Sequence, residues 1–323
     1  MRRAEFFGVI SVTLFVGAVA LAGAHVGLGA VVSRIGELSV GVIAGLLALS
    51  LANYALRIGR WHAFGRHLGL AVPLRRTALY YTAGFTMTTT PGKVGEALRL
   101  WLLDRCHGCH YARTAPLLIG DRIGDAAAVL ILCLAGIGAF AGYAWATAAV
   151  AAAVLLAGFL LVKSRPLLAL VAASYRTVGR WPRLFAGLRI ALRQTARLFD
   201  PPLFALALAL GVAGWLAECL ALYWLLAEIG APIGLRAAIF VFAFSMVVGG
   251  ASMLPGGLGG TEVTMFALLV TAGVPADSAL AATAIIRATT LWFAVGLGFA
   301  VLPAALRAAR AATADRPELE AKA

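Results

Sequence analysis

Thr90-Pro91-Gly92-Lys93-Val94-Gly95-Glu96 and Leu254-Pro255-Gly256-Gly257-Leu258-Gly259-Gly260-Thr261-Glu262 are two helix-breaking stretches set inside long apolar runs. Proline lacks the amide proton a helix needs, and glycine loses the most backbone freedom on entering one. Inside a bilayer such a break strands backbone N–H and C=O groups, and it persists only where protein or a water-filled cavity encloses it. Each break is followed by an arginine at nearly the same distance. Arg122 lies 31 residues after Pro91, and Arg287 lies 32 after Pro255. Paired interruptions at matching places in the two halves of a membrane chain point to the binding site of a transporter.

The rest of the chain agrees with a lipid solvent. Of its 323 residues 62% are hydrophobic and 13% are charged, against about 25% charged in soluble domains. The excess of 27 basic over 14 acidic residues reads as basic cytoplasmic loops facing anionic lipid, not as a nucleic-acid surface. Windows of about 20 apolar residues predict six full spans, over 6–28, 39–58, 114–140, 143–162, 201–227 and 278–302. The first is too long for a signal-peptide core and reads as an uncleaved span. Segments 77–103 and 236–271 are apolar but cut by the Pro-Gly stretches.

Charge sets the orientation. Arg57, Arg60, Arg66, Arg75 and Arg76 precede the first broken segment, and Arg105 and Arg113 follow it. Both of its ends are therefore expected in the cytoplasm, which makes it a re-entrant hairpin. Loop 163–200 is also strongly basic, whereas Arg236 and Asp277 bound the second broken segment without a basic cluster. The second hairpin is then expected to enter from outside. The predicted fold is an all-α polytopic membrane protein of about six spans plus two re-entrant hairpins. It forms an inverted repeat with units 39–140 and 201–302. A single transmembrane domain covers 1–307 and a short tail 308–323, with both termini cytoplasmic in a bacterial-type inner membrane. Arg189, Arg193 and Arg197 recur every four residues. They predict an amphipathic cytoplasmic helix over 183–198, with a solvated basic loop as the alternative.

Eight charges fall within the apolar segments: Lys93, Glu96, Arg99, Asp121, Arg122, Asp125, Glu262 and Arg287. Each costs about 2.5–3.5 kcal/mol at a membrane-helix centre on insertion scales, and such residues usually mark function. One reading is a neutral ion-pair cluster that only joins helices, with Arg122 and Asp125 paired at i,i+3. The other is a midplane pocket. There Lys93, Arg99, Arg122 and Arg287 would bind a phosphate, with arginine giving two-pronged contacts. The Pro91 and Pro255 tips, with Gly92, Gly95, Gly256, Gly257, Gly259 and Gly260, would let backbone amides approach the anion. The acids would hold the cations in the empty site. Glu218 is a weaker candidate.

No Walker sequence, nucleophile–base pair or metal-ligand cluster is legible, so no cofactor or metal is expected. Cys106-His107-Gly108-Cys109-His110 has the haem-attachment spacing, but its basic flanks point to the cytoplasm, where that chemistry does not occur; a zinc site is the alternative, for which the loop offers no second ligand pair. Cys133 and Cys219 read as packing residues.

Taken together, Thr90-Pro91-Gly92-Lys93-Val94-Gly95-Glu96-x-x-Arg99, Asp121-Arg122-x-x-Asp125, Leu254-Pro255-Gly256-Gly257-Leu258-Gly259-Gly260-x-Glu262 and Arg287 resemble the transmembrane region of lysylphosphatidylglycerol synthases and their stand-alone relatives. The resemblance covers nearly the whole chain. In bifunctional members this region is the lipid flippase and a separate soluble domain makes the lipid. It therefore implies a flippase or scramblase for an anionic phospholipid or another phosphate-bearing lipid, working beside a separate lipid-synthesising enzyme and not itself an enzyme. Asp121 stands where many relatives are expected to carry Glu. The alternatives are a secondary transporter for a soluble anion and a non-transporting scaffold for a lipid-modifying enzyme.

Overall fold

Ser39 opens the first described helix. Its Oγ accepts the Val42 amide at 3.2 Å, which satisfies one of the donors left over at a helix start. The computed structural model describes residues 38–89, 97–140 and 182–314, with isolated positions at 36, 142, 145, 148, 149, 152 and 174. Expected spans 6–28 and 143–162 fall essentially outside the described residues, as do the first Pro-Gly tip and the 308–323 tail beyond residue 314.

The described residues are helical and contain no strand. In chain order the helices are α1 (Val40–His67), α2 (Leu74–Ala83), α3 (Leu98–His107), α4 (Tyr111–Gly136), α5 (Pro182–Arg197), α6 (Pro201–Glu228), α7 (Leu235–Ala251), α8 (Gly260–Thr271), α9 (Ala276–Arg287) and α10 (Phe293–Ala314). A 3-10 turn, Gly84–Met87, follows α2, and another, Pro255–Gly257, separates α7 from α8. A π turn, Ala288–Trp292, joins α9 to α10 directly after Arg287. Three helical runs are long and apolar enough to cross a membrane: Val40–His67, Pro201–Glu228 and Ala276–Ala312.

One expected boundary is corrected. The segment 39–58 does not end before a basic loop: α1 continues to His67, and Arg57 and Arg60 lie inside it. Arg60 is completely buried. The apolar window stops at the first charges, but these charges meet carboxylates on α4, so the helix has no reason to leave the protein there. Segment 183–198 is a helix, α5, with Arg189, Arg193 and Arg197 exposed and Thr195 buried. It packs on α4.

The buried apolar side chains divide into two clusters, and the long helices run from one to the other. On α1 the first cluster takes Val42 and Leu46 and the second takes Trp61 and Phe64. α9 and α10 run the same way, from Ala279 to Ala305. α4 and α6 run in reverse, from Leu117 to Cys133 and from Ala207 to Cys219. Between the two clusters each helix carries its polar groups: Asn53 and Arg57 on α1, Asp121 and Asp125 on α4, Glu218 on α6, and Arg287 at the end of α9. The broken segments behave differently. α2 and α3 contribute only to the second cluster, and α7 and α8 only to the first. α10 packs against α2, α3 and the turn between them, while α4 packs against α7. Gly298 makes the first of these close, because a Cβ there would stand 2.6 Å from the Thr86 amide nitrogen.

The end of the bundle at the second cluster carries Arg66, Arg75, Arg76, Arg105, Arg113, Arg307 and Arg310. Positive charge concentrated at one end is expected to face the cytoplasm. With the other cysteines replaced, Cys106 is expected to resist a membrane-impermeant maleimide in intact cells and to react after permeabilisation. An Ala276→Cys variant, at the opposite end, should react in intact cells. Labelling of Cys106 in intact cells would overturn this orientation.

Candidate functional site

A cavity of about 550 Å³ opens between the two apolar clusters. Arg57, Arg122 and Arg287 reach it from three different helices, Asp125 and Glu218 supply its acids, and most of the remaining wall is apolar. Both broken segments reach it. Phe85 and Thr88 come from the first, and Gly249, Met253, Leu254 and Gly256 from the second. The two segments also meet each other: a Cβ on Gly256 would lie 3.5 Å from the Thr89 methyl carbon. Gly256 (φ +64°) and Gly257 (φ +69°) take up left-handed backbone conformations there, which glycine adopts without a Cβ clash.

The second tip is tied down by two charges. Glu262 is the third residue of α8, and one of its carboxylate oxygens accepts the Gly259 amide at 2.7 Å. The other accepts Arg287 Nε at 2.6 Å. Arg287 Nη2 donates to the Gly256 carbonyl at 2.9 Å. One carboxylate therefore caps a helix and holds the arginine that holds the tip. Arg287 is 3% exposed. It lines the cavity, whereas Glu262 is not among the cavity residues. The π turn just beyond Arg287 leaves the Thr290 carbonyl for the Tyr54 hydroxyl of α1, at 2.5 Å. π turns often mark functional places in a helix.

A second charge group sits against the cavity on the α4 side. Arg60 donates to Asp121 Oδ1 and to Asp125 Oδ1, each at 2.5 Å. Arg57 Nη2 reaches Asp125 Oδ2 at 2.7 Å. Arg122 Nη2 lies 2.8 Å from Asp121 Oδ2 and 3.2 Å from Asp125 Oδ2. The Tyr81 hydroxyl and the Trp215 indole complete the two carboxylates, at 3.2 Å each. Room for the Arg60 guanidinium exists because Gly124 and Gly211 lack side chains: a Cβ on Gly211 would stand 2.9 Å from Arg60 Nη1.

Sequence reasoning singled out eight charges, and the structure distributes them unevenly. Arg122, Asp125 and Arg287 line the cavity. Asp121 is fully buried behind it. Arg99 is 1% exposed, with its guanidinium 3.7 Å from the centre of the Tyr81 ring and 3.6 Å from Asp121. It is not among the cavity residues. Lys93, Glu96, Pro91, Gly92 and Gly95 lie outside the described residues. Of the second tip, Pro255 and Gly257 form the turn, and Gly259 and Gly260 start α8. The sequence does not single out Arg57 and Arg60, because there they read only as orientation charges at and beyond the end of a span. Their spacing of three places both on one helical face with Asn53, facing carboxylates four apart on α4. That match was the available signal.

The Cys106–His110 stretch stands apart from this site. The His107 ring nitrogen lies 3.2 Å from the Tyr80 hydroxyl, and burial, with Arg76 nearby, lowers its pKa. Burial pushes the Cys109 thiol up, which disfavours a thiolate.

Comparison with known proteins shows the family. The family model for the lysylphosphatidylglycerol synthase TM region matches residues 8–298. A UPF0104 membrane protein of Methanothermobacter thermautotrophicus is 31% identical over 118 residues, which is 36% of this chain and 35% of that protein. A second alignment with a UPF0104 membrane protein of that organism gives 30% identity over 89 residues, 28% of this chain and 26% of the relative. The aligned stretches thus span about a third or less of those relatives' length. With the family model covering most of the chain and its apolar helices long enough to cross a bilayer, this is a multi-pass membrane protein that belongs to the family of the lysylphosphatidylglycerol synthase transmembrane region.

Proposed function

We propose that this protein moves a phosphate-bearing lipid headgroup across the membrane through the cavity, as a flippase or scramblase, with the acyl chains remaining in the bilayer. The observation that carries the reading is the convergence of Arg57, Arg122 and Arg287 on one largely apolar cavity where two broken segments meet. Guanidinium groups offer planar, paired donors that suit phosphate. Gly250, Ala251, Met253 and Leu254 are exposed and also line the cavity. That lip is uncharged, which suits acyl chains passing beside a headgroup better than the hydrated entry a soluble anion needs. The cavity itself favours transport over a scaffold whose charges serve only to join helices.

The architecture supports the same reading. Each broken segment keeps both arms in one apolar cluster, as expected of re-entrant hairpins entering from opposite faces. The reciprocal packing of each hairpin on the other unit's final span suits an inverted repeat with its site at the midplane. A separate enzyme would supply the lipid.

The test is a leaflet assay in proteoliposomes with a fluorescent phosphatidylglycerol. The wild type is expected to exceed protein-free vesicles clearly. Arg122→Lys, which keeps the charge but loses the two-pronged geometry, should slow movement about tenfold, on the order of 1.4 kcal/mol. Wild-type movement at the protein-free rate would refute the proposal. Equal rates for the Lys variant and wild type, at equal protein levels, would remove Arg122 as a phosphate ligand.

A further inference from the structure

We infer that Glu218 is the proton-carrying group of this site, so that the headgroup and a proton cross together in the same direction. The inference rests on the transport reading above and adds its energy source. Glu218 is 2% exposed, stands on α6 and lines the cavity. Its Oε2 accepts the Ser50 hydroxyl at 3.1 Å, and among the described residues no cation lies within ion-pair distance of it. Its surroundings explain why. From α1, Ser50, Asn53, Tyr54 and Arg57 face the cavity or Glu218 itself. Arg57 is drawn away to Asp125 at 2.7 Å, and Tyr54 is turned to the Thr290 carbonyl. From α4, Asp125 is a second acid, taken up by Arg57, Arg60, Arg122 and Trp215. α7 brings no ionisable group to the cavity, and α9 brings Arg287, which is held by Glu262.

The two acids of the cavity are therefore set for different roles. Asp125 has its charge fixed by three guanidinium groups. Glu218 has one hydroxyl donor and access to the cavity. A buried carboxylate without a counter-ion is costly, and taking a proton from the cavity removes that cost. Phosphate arriving among the arginines makes the charged form worse still, because two anions then share one cavity. Proton and headgroup thus favour each other's binding, and the linkage is reciprocal. The carboxylate takes the proton from water on one side of the membrane, and the carboxyl gives it up to water on the other side, as hydronium, when the headgroup departs.

The experiment uses the same proteoliposomes with fluorescent phosphatidylglycerol, with and without an imposed pH difference. Wild-type movement is expected to change about fivefold with the gradient. Glu218→Gln, purified as a folded protein, should show no gradient response. Ser50→Ala keeps the carboxyl but removes its hydrogen bond, and should displace the pH of half-maximal rate by about half a unit or more. Wild-type movement that ignores the gradient overturns the proton role and leaves the transport reading standing. So does a gradient response retained in Glu218→Gln, or, should that variant fail to fold, an unshifted profile in Ser50→Ala. A wild type that moves no lipid overturns the transport reading, and this inference with it.

Discussion

Asp121→Asn is expected to destabilise the protein by about 3–5 kcal/mol, because it removes one of the two carboxylates that the buried Arg60 and its neighbours share. Asp121 is wholly buried. Its two oxygens face Arg60 at 2.5 Å, Arg122 at 2.8 Å, Arg99 at 3.6 Å and Arg57 at 4.0 Å. Asparagine keeps the shape and can still accept from Tyr81, but it removes a full charge from a group in which, among the described residues, four guanidinium groups meet two carboxylates. It also turns an NH₂ towards donors. Arg122 stands differently: its side chain is 32% exposed, so Arg122→Met should cost far less, within about 1 kcal/mol. The measurement is the yield of monodisperse protein in detergent and its unfolding midpoint. Asp121→Asn is expected to lose most of the yield. Pairing it with Arg60→Met should restore part of the loss, since removing the charge of both partners leaves less uncompensated charge buried than removing one. A midpoint for Asp121→Asn equal to that of Arg122→Met would show that this group does not carry the fold.

The difference between these two residues was not legible in the sequence. Proline and glycine announce their breaks directly, since their backbone chemistry does not depend on neighbours. Charge density likewise places the basic end of the bundle. Whether a charge faces a cavity or is locked away depends on side chains distant in the chain. Arg99 and Arg122 look alike as cations in apolar segments. The first ends in a cage of Tyr81, Trp61 and Phe85, and the second at the cavity. Arg57 and Arg60 show the same point from the other side. A hydropathy window treats arginine as the edge of a span, but carboxylates on α4 remove the reason to stop. In the sequence Glu218 reads as a lone acid, and its standing comes from what α1 and α4 do with their own charges around it.

Glu262→Gln tests the second tip, and here the effect should fall on function more than on folding. The carboxylate serves two donors at once, Gly259 N–H at 2.7 Å and Arg287 Nε at 2.6 Å. Glutamine has one acceptor oxygen, so it can serve only one of them well, and its NH₂ would face the other donor. If the oxygen stays on Gly259, the cap survives and α8 keeps its start. Arg287 then loses a charge-assisted bond, which is worth roughly twice a neutral one, and keeps only the Gly256 carbonyl at 2.9 Å. Gly256 and Arg287 both line the cavity, so their loosening changes the shape of the site directly. The expected result is a protein that reaches the membrane, unfolds within a few degrees of wild type and moves fluorescent phosphatidylglycerol about tenfold or more slowly, as for loss of an interaction of at least about 1.4 kcal/mol. Glu262→Asp keeps the charge but shortens the reach, and should recover part of the rate only if charge on Arg287 is what matters. Glu96→Gln is expected to act in the same way if the first tip is built like the second. A wild-type rate in Glu262→Gln would reduce the carboxylate to a helix cap, a role worth only about 0.3–1 kcal/mol, and would leave Arg287 to be held by the tip carbonyl alone.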